Sequence, residues 1–298
     1  INKYCYLNCR YLPPFFRHKY AINYSKRELT KDIQSIKHPS VRESMNLVKP
    51  DAGIELNHAG DLPKMSGVGS SSAFTVGLLH SLYSLKGEVK TKRELALDAI
   101  HVEQNMIGEN VGSQDQVSAA FGGLNKIEFG GPQEIMVSPI IIRSEKLDQL
   151  CSNLMLFFTN TSRDGTKIAK NWIKNTDQNK SYLKNMLAMV DEGQNILTSK
   201  NGNLDDFGKL LHKGWEIKKK LANNITNSKI DAMYEQALKN GALGGKLLGA
   251  GGGGFILFYA PPEAQQKIKE TFKKFIYVPF KFDNLGTQVI YYSPQNNN

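Results

Sequence analysis

Pro63-Lys64-Met65-Ser66-Gly67-Val68-Gly69-Ser70-Ser71-Ser72-Ala73 decides how this chain is read, because it runs without a break into the apolar pattern Phe74 to Leu85. Glycines and serines opening an apolar helix aim unpaired backbone N–H groups, hydroxyls and the positive helix end at one spot. That is a site for phosphate or another anion. Gly67 and Gly69 permit a close backbone approach that a side chain would block. No Gly-Lys-Ser/Thr follows at the required offset, so the stretch is not the common P-loop. A serine-rich helix cap with glycines for a turn is the plainer alternative.

Working outward, the segment from Ile1 to about Ile22 reads as a strand, a break at Pro13-Pro14 and a second strand through His18–Tyr24. Glu28 to Val48 reads as helical in parts and broken at Pro39. Ile54–His58 alternates as a strand, and Asp61-Leu62-Pro63 ends it. After the glycine-serine loop, a helix is expected from Thr91 to about Gly108 through Leu95, Ala99, Val102 and Met106, with Glu103 in a largely apolar neighbourhood. It leads into Glu109-Asn110-Val111-Gly112-Ser113-Gln114-Asp115-Gln116. A carboxylate among small residues, with another one helix earlier, suits magnesium-dependent phosphoryl transfer: one group on the metal, one near the attacking hydroxyl. The competing possibility is that Asp115 caps a helix beginning at Gln116 and Glu103 faces solvent.

Phe121–Asn125 reads as a tight turn into the strand Lys126–Phe129, and Asn153–Thr159 as a buried strand. Arg163, beside Thr161 and Ser162 and ahead of a helix from about Gly165 to Trp172, is a candidate anion ligand or a plain surface arginine. Residues 180–240 carry helical periodicity with breaks near Asn201-Gly202-Asn203 and Asn223-Asn224. There Trp215 reads as an apolar anchor and Lys218-Lys219-Lys220 as a solvated face. Gly249, Gly251 and Gly254 match the dinucleotide fingerprint formally, but they precede the strand Phe255–Ala260 instead of opening a helix, so that reading is rejected. A packed backbone loop remains, approaching either another segment or a ligand, with Lys246 able to place a positive charge beside it.

The 298 residues suffice for one large domain or two smaller ones, and 40% apolar with 22% charged residues argues against disorder or a coiled coil. Three cysteines, Cys5, Cys9 and Cys151, fit a reducing compartment. The net charge of +10 attracts anions without naming them. No apolar run of about 18 residues occurs, and Ile1-Asn2-Lys3-Tyr4 lacks a signal-peptide pattern. A soluble, cytoplasmic protein is expected, its natural beginning missing.

The loop at 63–73, Gly112-Ser113-Gln114-Asp115-Gln116 and Gly249-Ala250-Gly251-Gly252-Gly253-Gly254-Phe255 together resemble the GHMP small-molecule kinase superfamily. His101-Val102-Glu103-Gln104, Phe121–Asn125 and Gly244–Ala250 are most similar to its heptose 7-phosphate kinase branch. The resemblance implies an α+β chain of the GHMP kinase fold: an ATP-binding, ribosomal-protein-S5-like domain over 1–150 and a ferredoxin-like domain over 151–298. ATP would lie over Pro63, Ser66, Gly67, Val68, Gly69, Ser70, Ser71 and Ser72. Ser71 and Glu103 match the positions that hold Mg2+, and Asp115 matches the catalytic aspartate. Gly112, Gln114, Arg163, Lys246, Gly251 and Gly252 are the substrate-side candidates.

The implied reaction is ATP-dependent phosphorylation of the anomeric hydroxyl of D-glycero-D-manno-heptose 7-phosphate to the 1,7-bisphosphate, feeding nucleotide-activated heptose for surface polysaccharide. Alternatives are a kinase for another sugar such as fucose, or a catalytically silent sugar- or nucleotide-binding regulator. The expected partners are ATP and a sugar phosphate, with neither nucleic acid nor membrane, and a homodimer left open. A nucleic-acid binder would need a basic stripe with interleaved aromatics, whereas the lysines and arginines here are scattered. Family members carry a Gly-Gly-Gly-Thr-Asp sugar-binding stretch ahead of the point corresponding to Ile1; its absence reads either as an incomplete chain, the simpler explanation, or as a protein lacking part of the sugar site and a basic partner for Asp115.

Overall fold

Alternating burial along Cys5–Tyr11 (β1), with Leu7 and Cys9 turned inward and Tyr6, Asn8 and Arg10 outward, is the pattern of a strand covered on one face. In this computed structural model, which describes residues 1–64, 66–131, 134–160 and 176–294, β1 pairs antiparallel with Ile54–Gly60 (β4). Tyr20–Asn23 (β2) runs parallel to β4 and antiparallel to Arg27–Thr30 (β3), giving the sheet order β1-β4-β2-β3. Pro39 opens a helix instead of breaking one: α1 spans Pro39–Val48, and proline suits a first turn whose N–H groups lack helical partners. Ahead of it the partly helical reading holds at Ile33–Ser35, a 3-10 turn capped by Asp32, while Arg27–Thr30 forms β3 because pairing with β2 overrides the weak local preference of Arg-Glu-Leu-Thr.

Ser70–Leu85 (α2) buries Phe74, Val76, Leu78, Leu79 and Leu82, so apolar contact surrounds much of it. It lies on β1 at Gly77, where a Cβ would stand 2.6 Å from Leu7 Cδ1. Lys92–Ile100 (α3) begins with a reciprocal capping box between Thr91 and Glu94. The helix expected to continue to Gly108 changes character at His101–Met106, which is a π-helical turn. Such turns are uncommon and recur at functional sites. Gln114–Phe121 (α4) follows.

Contacts divide the chain into two units: Ile1–Lys64, Gly69–Gly123 and Asp283–Asn298 in the first, Met65–Val68 and Leu124–Phe282 in the second. The sequence reading places a single cut after residue 150. The C-terminal return to the first unit is tied locally: Tyr4 Oη donates to Asp283 Oδ2 (2.7 Å), Gly123 N to Asp283 O (2.8 Å), and Lys92 Nζ to Leu285 O (2.8 Å). Nothing in the spacing of residues 283–294 announces these partners.

The second unit has the hairpin Asn125–Phe129 (β5) with Ile135–Pro139 (β6) and a separate antiparallel sheet. That sheet runs β10-β7-β9-β8, from Ile276–Val278 (β10), Leu154–Phe158 (β7), Phe255–Tyr259 (β9) and Gly244–Leu247 (β8). Helices Ser144–Asn153 (α5), Lys180–Thr198 (α6), Leu204–Lys219 (α7), Ser228–Lys239 (α8) and Pro262–Thr271 (α9) accompany it. The breaks near residues 201–203 and 223–224 fall where the sequence puts them. Phe157, Trp215, Tyr234, Ile256, Phe258 and Phe272 share one buried cluster, and Trp215 is the apolar anchor expected of it. Among the described residues no helix is long and apolar enough to cross a membrane.

Candidate functional site

Gly69 is the N-cap of the 16-residue α2, at φ +72° and ψ 16°, with no side chain capping the helix. Left-handed backbone there is cheap only for glycine. The first-turn N–H groups therefore face outward from an uncapped end, a favourable place for negative charge. Asp115, in the first turn of α4, lies against this glycine: a Cβ built on Gly69 would stand 3.4 Å from both Cβ and Cγ of Asp115. One carboxylate and one helix end thus share a small region of the first unit.

Glu103 sits in the π-helical turn and is 1% exposed, which overturns the reading that it faces solvent. Its Oε2 accepts from Ser72 Oγ (2.9 Å) and from Gln116 Nε2, while Oε1 is buried without a hydrogen-bond partner. Burial pushes the Glu103 carboxyl above its ordinary range; Thr75, Ser72 and Gln116 pull it back, and the Asp115 charge raises it further. An unpaired carboxylate oxygen in such a place is costly unless a cation meets it. The same turn carries Gln104, whose Nε2 donates to Val111 O (3.0 Å) and Ser113 Oγ (3.1 Å) and so fixes the approach to α4. Ser113 is the residue at the N-cap, so Asp115 is one step inside α4 and is not its cap.

In the second unit the glycine cluster is packed against chain. Phe255 N donates to Ser66 O (3.0 Å), and a Cβ on Gly67 would meet Leu248 O at 2.7 Å. Gly251 and Gly252 are buried; Gly252 N donates to Ile225 O (2.8 Å), and its carbonyl accepts from Asn227 Nδ2 (3.3 Å). Lys218 Nζ donates to Gly249 O (2.6 Å), so this lysine is not merely part of a solvated face. No local spacing could have found it, since the carbonyl lies 31 residues away in sequence.

Pro63 and Gly67 are exposed; Val68 and Ser70 are half-buried; Ser66 is buried. Ser71 is exposed, and the serine hydroxyl hydrogen-bonded to Glu103 is that of Ser72. Gly112 has open space around it, and Gln114 is exposed with Nε2 3.3 Å from Asp115 Oδ1. Lys246 is half-buried in β8. Arg163 and the helix expected after it lie outside the described residues. Among the described residues no group of three His, Cys, Asp or Glu side chains could hold a metal by itself. A Mg2+ ion shared with phosphates asks for less, one or two carboxylates, and the bare Glu103 oxygen fits that.

Comparison with known proteins gives this arrangement a family. Residues 23–123 match the GHMP kinases N terminal domain, and residues 195–278 match GHMP kinases C terminal. The D-glycero-alpha-D-manno-heptose 7-phosphate kinase of Campylobacter jejuni is 30% identical over 77% of this chain and 68% of its own length. The bifunctional fucokinase/GDP-fucose pyrophosphorylase of Arabidopsis thaliana is 24% identical over 73% of this chain, which spans only 21% of that protein. A solved D-glycero-D-manno-heptose 1-phosphate kinase from Bacteroides thetaiotaomicron shares the fold at a TM-score of 0.71 and 22% identity, covering 98% of this chain and 89% of its own. The chain belongs to the GHMP kinase family and is an ATP-dependent kinase with that family's α+β fold.

Proposed function

We propose that this chain transfers the γ-phosphoryl group of ATP to the anomeric hydroxyl of D-glycero-D-manno-heptose 7-phosphate, giving the 1,7-bisphosphate for nucleotide-activated heptose synthesis in the cytoplasm. The observation that carries a phosphoryl-transfer reading is the Asp115 carboxyl lying against Gly69 at the uncapped start of α2. The 30% identity to the Campylobacter kinase supports the acceptor.

In this reading the γ-phosphate oxygens take the first-turn N–H groups of Ser70, Ser71 and Ser72 and the hydroxyls of Ser70 and Ser71, the Ser72 hydroxyl staying on Glu103, with Pro63 and Ser66–Val68 shaping the loop around ATP. Asp115 orients the sugar hydroxyl and accepts its proton as the new O–P bond forms and the bond to ADP breaks. Glu103, with the Ser71 hydroxyl, would hold Mg2+, which would supply positive charge to offset that on the phosphates. Gly112 and Gln114 border the acceptor, while Arg163 and Lys246 are assigned to its 7-phosphate. Gly251 and Gly252 act through the packing of their loop. The domain halves proposed from the family resemblance are 1–150 and 151–298; the contact units differ in giving residues 65–68 and 124–150 to the second unit and those from Asp283 onward to the first.

A second reading, fucose as acceptor, is supported by the Arabidopsis protein and by the L-fucokinase/L-fucose-1-P guanylyltransferase of Bacteroides fragilis, 26% identical over 74% of this chain. The test is phosphorus NMR of Mg-ATP with heptose 7-phosphate, against fucose, galactose and mannose, with Asp115→Asn as control. A 1,7-bisphosphate signal lost in the control is expected. A folded, ATP-binding protein that phosphorylates none of these sugars would overturn the reading.

A further inference from the structure

The Glu103 carboxylate is held on one side only. Ser72 Oγ and Gln116 Nε2 both donate to Oε2; the Thr75 hydroxyl lies close enough to stabilise the carboxylate but donates to Ser71 O, and Oε1 is buried with no hydrogen-bond partner. Gln116 is itself 0% exposed, and its own Oε1 is also buried without a partner. Two touching side chains thus carry two buried acceptor oxygens that have no hydrogen-bond partner among the described residues.

A glutamine chosen only to fill space would be replaced at less cost by an apolar side chain of the same length, because an unmet buried carbonyl is penalised. A glutamine that fixes a metal-binding carboxylate has a reason to be there: ligating carboxylates are commonly oriented by a hydrogen bond to the oxygen that is not engaged. Successive residues of a helix point about 100° apart, so α4 can send Asp115 to Gly69 and Gln116 to Glu103 from neighbouring positions.

We infer that Gln116 is a positioning residue: its amide locks Glu103 so that Oε1 stays presented to a divalent cation. This rests on the phosphoryl-transfer reading above. Gln116 touches neither nucleotide nor sugar in this role and acts through Glu103.

The test uses the full chain with ADP and Mn2+, read by electron paramagnetic resonance of free Mn2+. Gln116→Met keeps the length and removes the amide; Gln116→Asn keeps the amide and withdraws it by one methylene. For each variant that still melts cooperatively, Mn2+ affinity is expected to fall by about 10- to 100-fold. Metal-free ADP binding is expected to stay within about twofold, a split that loss of folding alone would not produce. Unchanged Mn2+ affinity in either folded variant overturns the inference, as does a parallel loss of metal-free ADP binding. If the unsubstituted chain binds ADP but no Mn2+ beside it, the phosphoryl-transfer reading fails and the inference fails with it.

Discussion

The carboxyl of Asp115 and the backbone of Gly69 are in near contact: a single added carbon on Gly69 would stand 3.4 Å from Asp115 Cγ. Gly69 is also left-handed at φ +72°, so its conformation demands glycine, whereas an added carbon would only touch Asp115 at van der Waals distance.

Gly69→Ala is therefore expected to lower stability by about 1–2 kcal/mol through backbone strain. It should also lower phosphoryl transfer by shifting the strained start of α2, while the added methyl itself fits beside Asp115 at van der Waals distance. Urea denaturation together with kcat/KM checks both; an alanine variant with unchanged kcat/KM would show that the strain leaves the start of α2 in place.

Asp115→Asn keeps the shape of the side chain and removes its capacity to accept a proton. A fall in kcat of about 100- to 10,000-fold is expected, with little change in ATP affinity. Steady-state kinetics at saturating ATP measure it, and a loss under tenfold would argue that Asp115 only orients the acceptor.

Lys218→Met removes the donor from Gly249 O while keeping most of the apolar stem. The expected loss is about 1.5–3 kcal/mol, the range for a hydrogen bond from a charged group. Chemical denaturation reads it directly. A stability unchanged within error would mean that water replaces the ammonium at no cost.

Acid should weaken the first unit from about pH 6.5 downward. Burial lowers the pKa of His38, His58 and His80, so their neutral forms are favoured in the fold. For His38, the nearby His58 and Lys64 charges lower it further and Glu28 opposes them. As pH falls past the ordinary histidine value, the unfolded chain binds protons first, and stability is lost until the folded pKa values are reached. Glu28 adds a second loss at lower pH: burial raises its pKa, but hydrogen bonds from Lys37 N, Tyr24 Oη and His38 N outweigh that and hold it below the usual carboxylate range. Urea midpoints at about pH 5 and about pH 7.5 test this, with His38→Phe, which keeps the ring beside Phe74, expected to flatten the slope. Equal midpoints in the unsubstituted protein would refute it.

Sequence by itself determined the elements whose signals are local. The Gly-Ser stretch opening α2, the strand alternation of β1 and β4, the helix breaks near 201–203 and the strand after the second glycine cluster are all written in near-neighbour spacing. Asp115 stands out in sequence as an acidic residue among small ones near a helix start, but its place in the first turn of α4, beyond the N-cap Ser113, came from the structure. Only the tertiary structure decided which groups meet. Glu103 could be solvent-facing or buried by spacing alone, and the π-helical turn that carries it inward depends on packing with α2 and α4. Ser72, and not its neighbour Ser71, reaches that carboxylate because successive helical residues point in different directions. Lys218 and Gly249, or Tyr4 and Asp283, are joined across long stretches of chain by hydrogen bonds that short-range periodicity cannot encode.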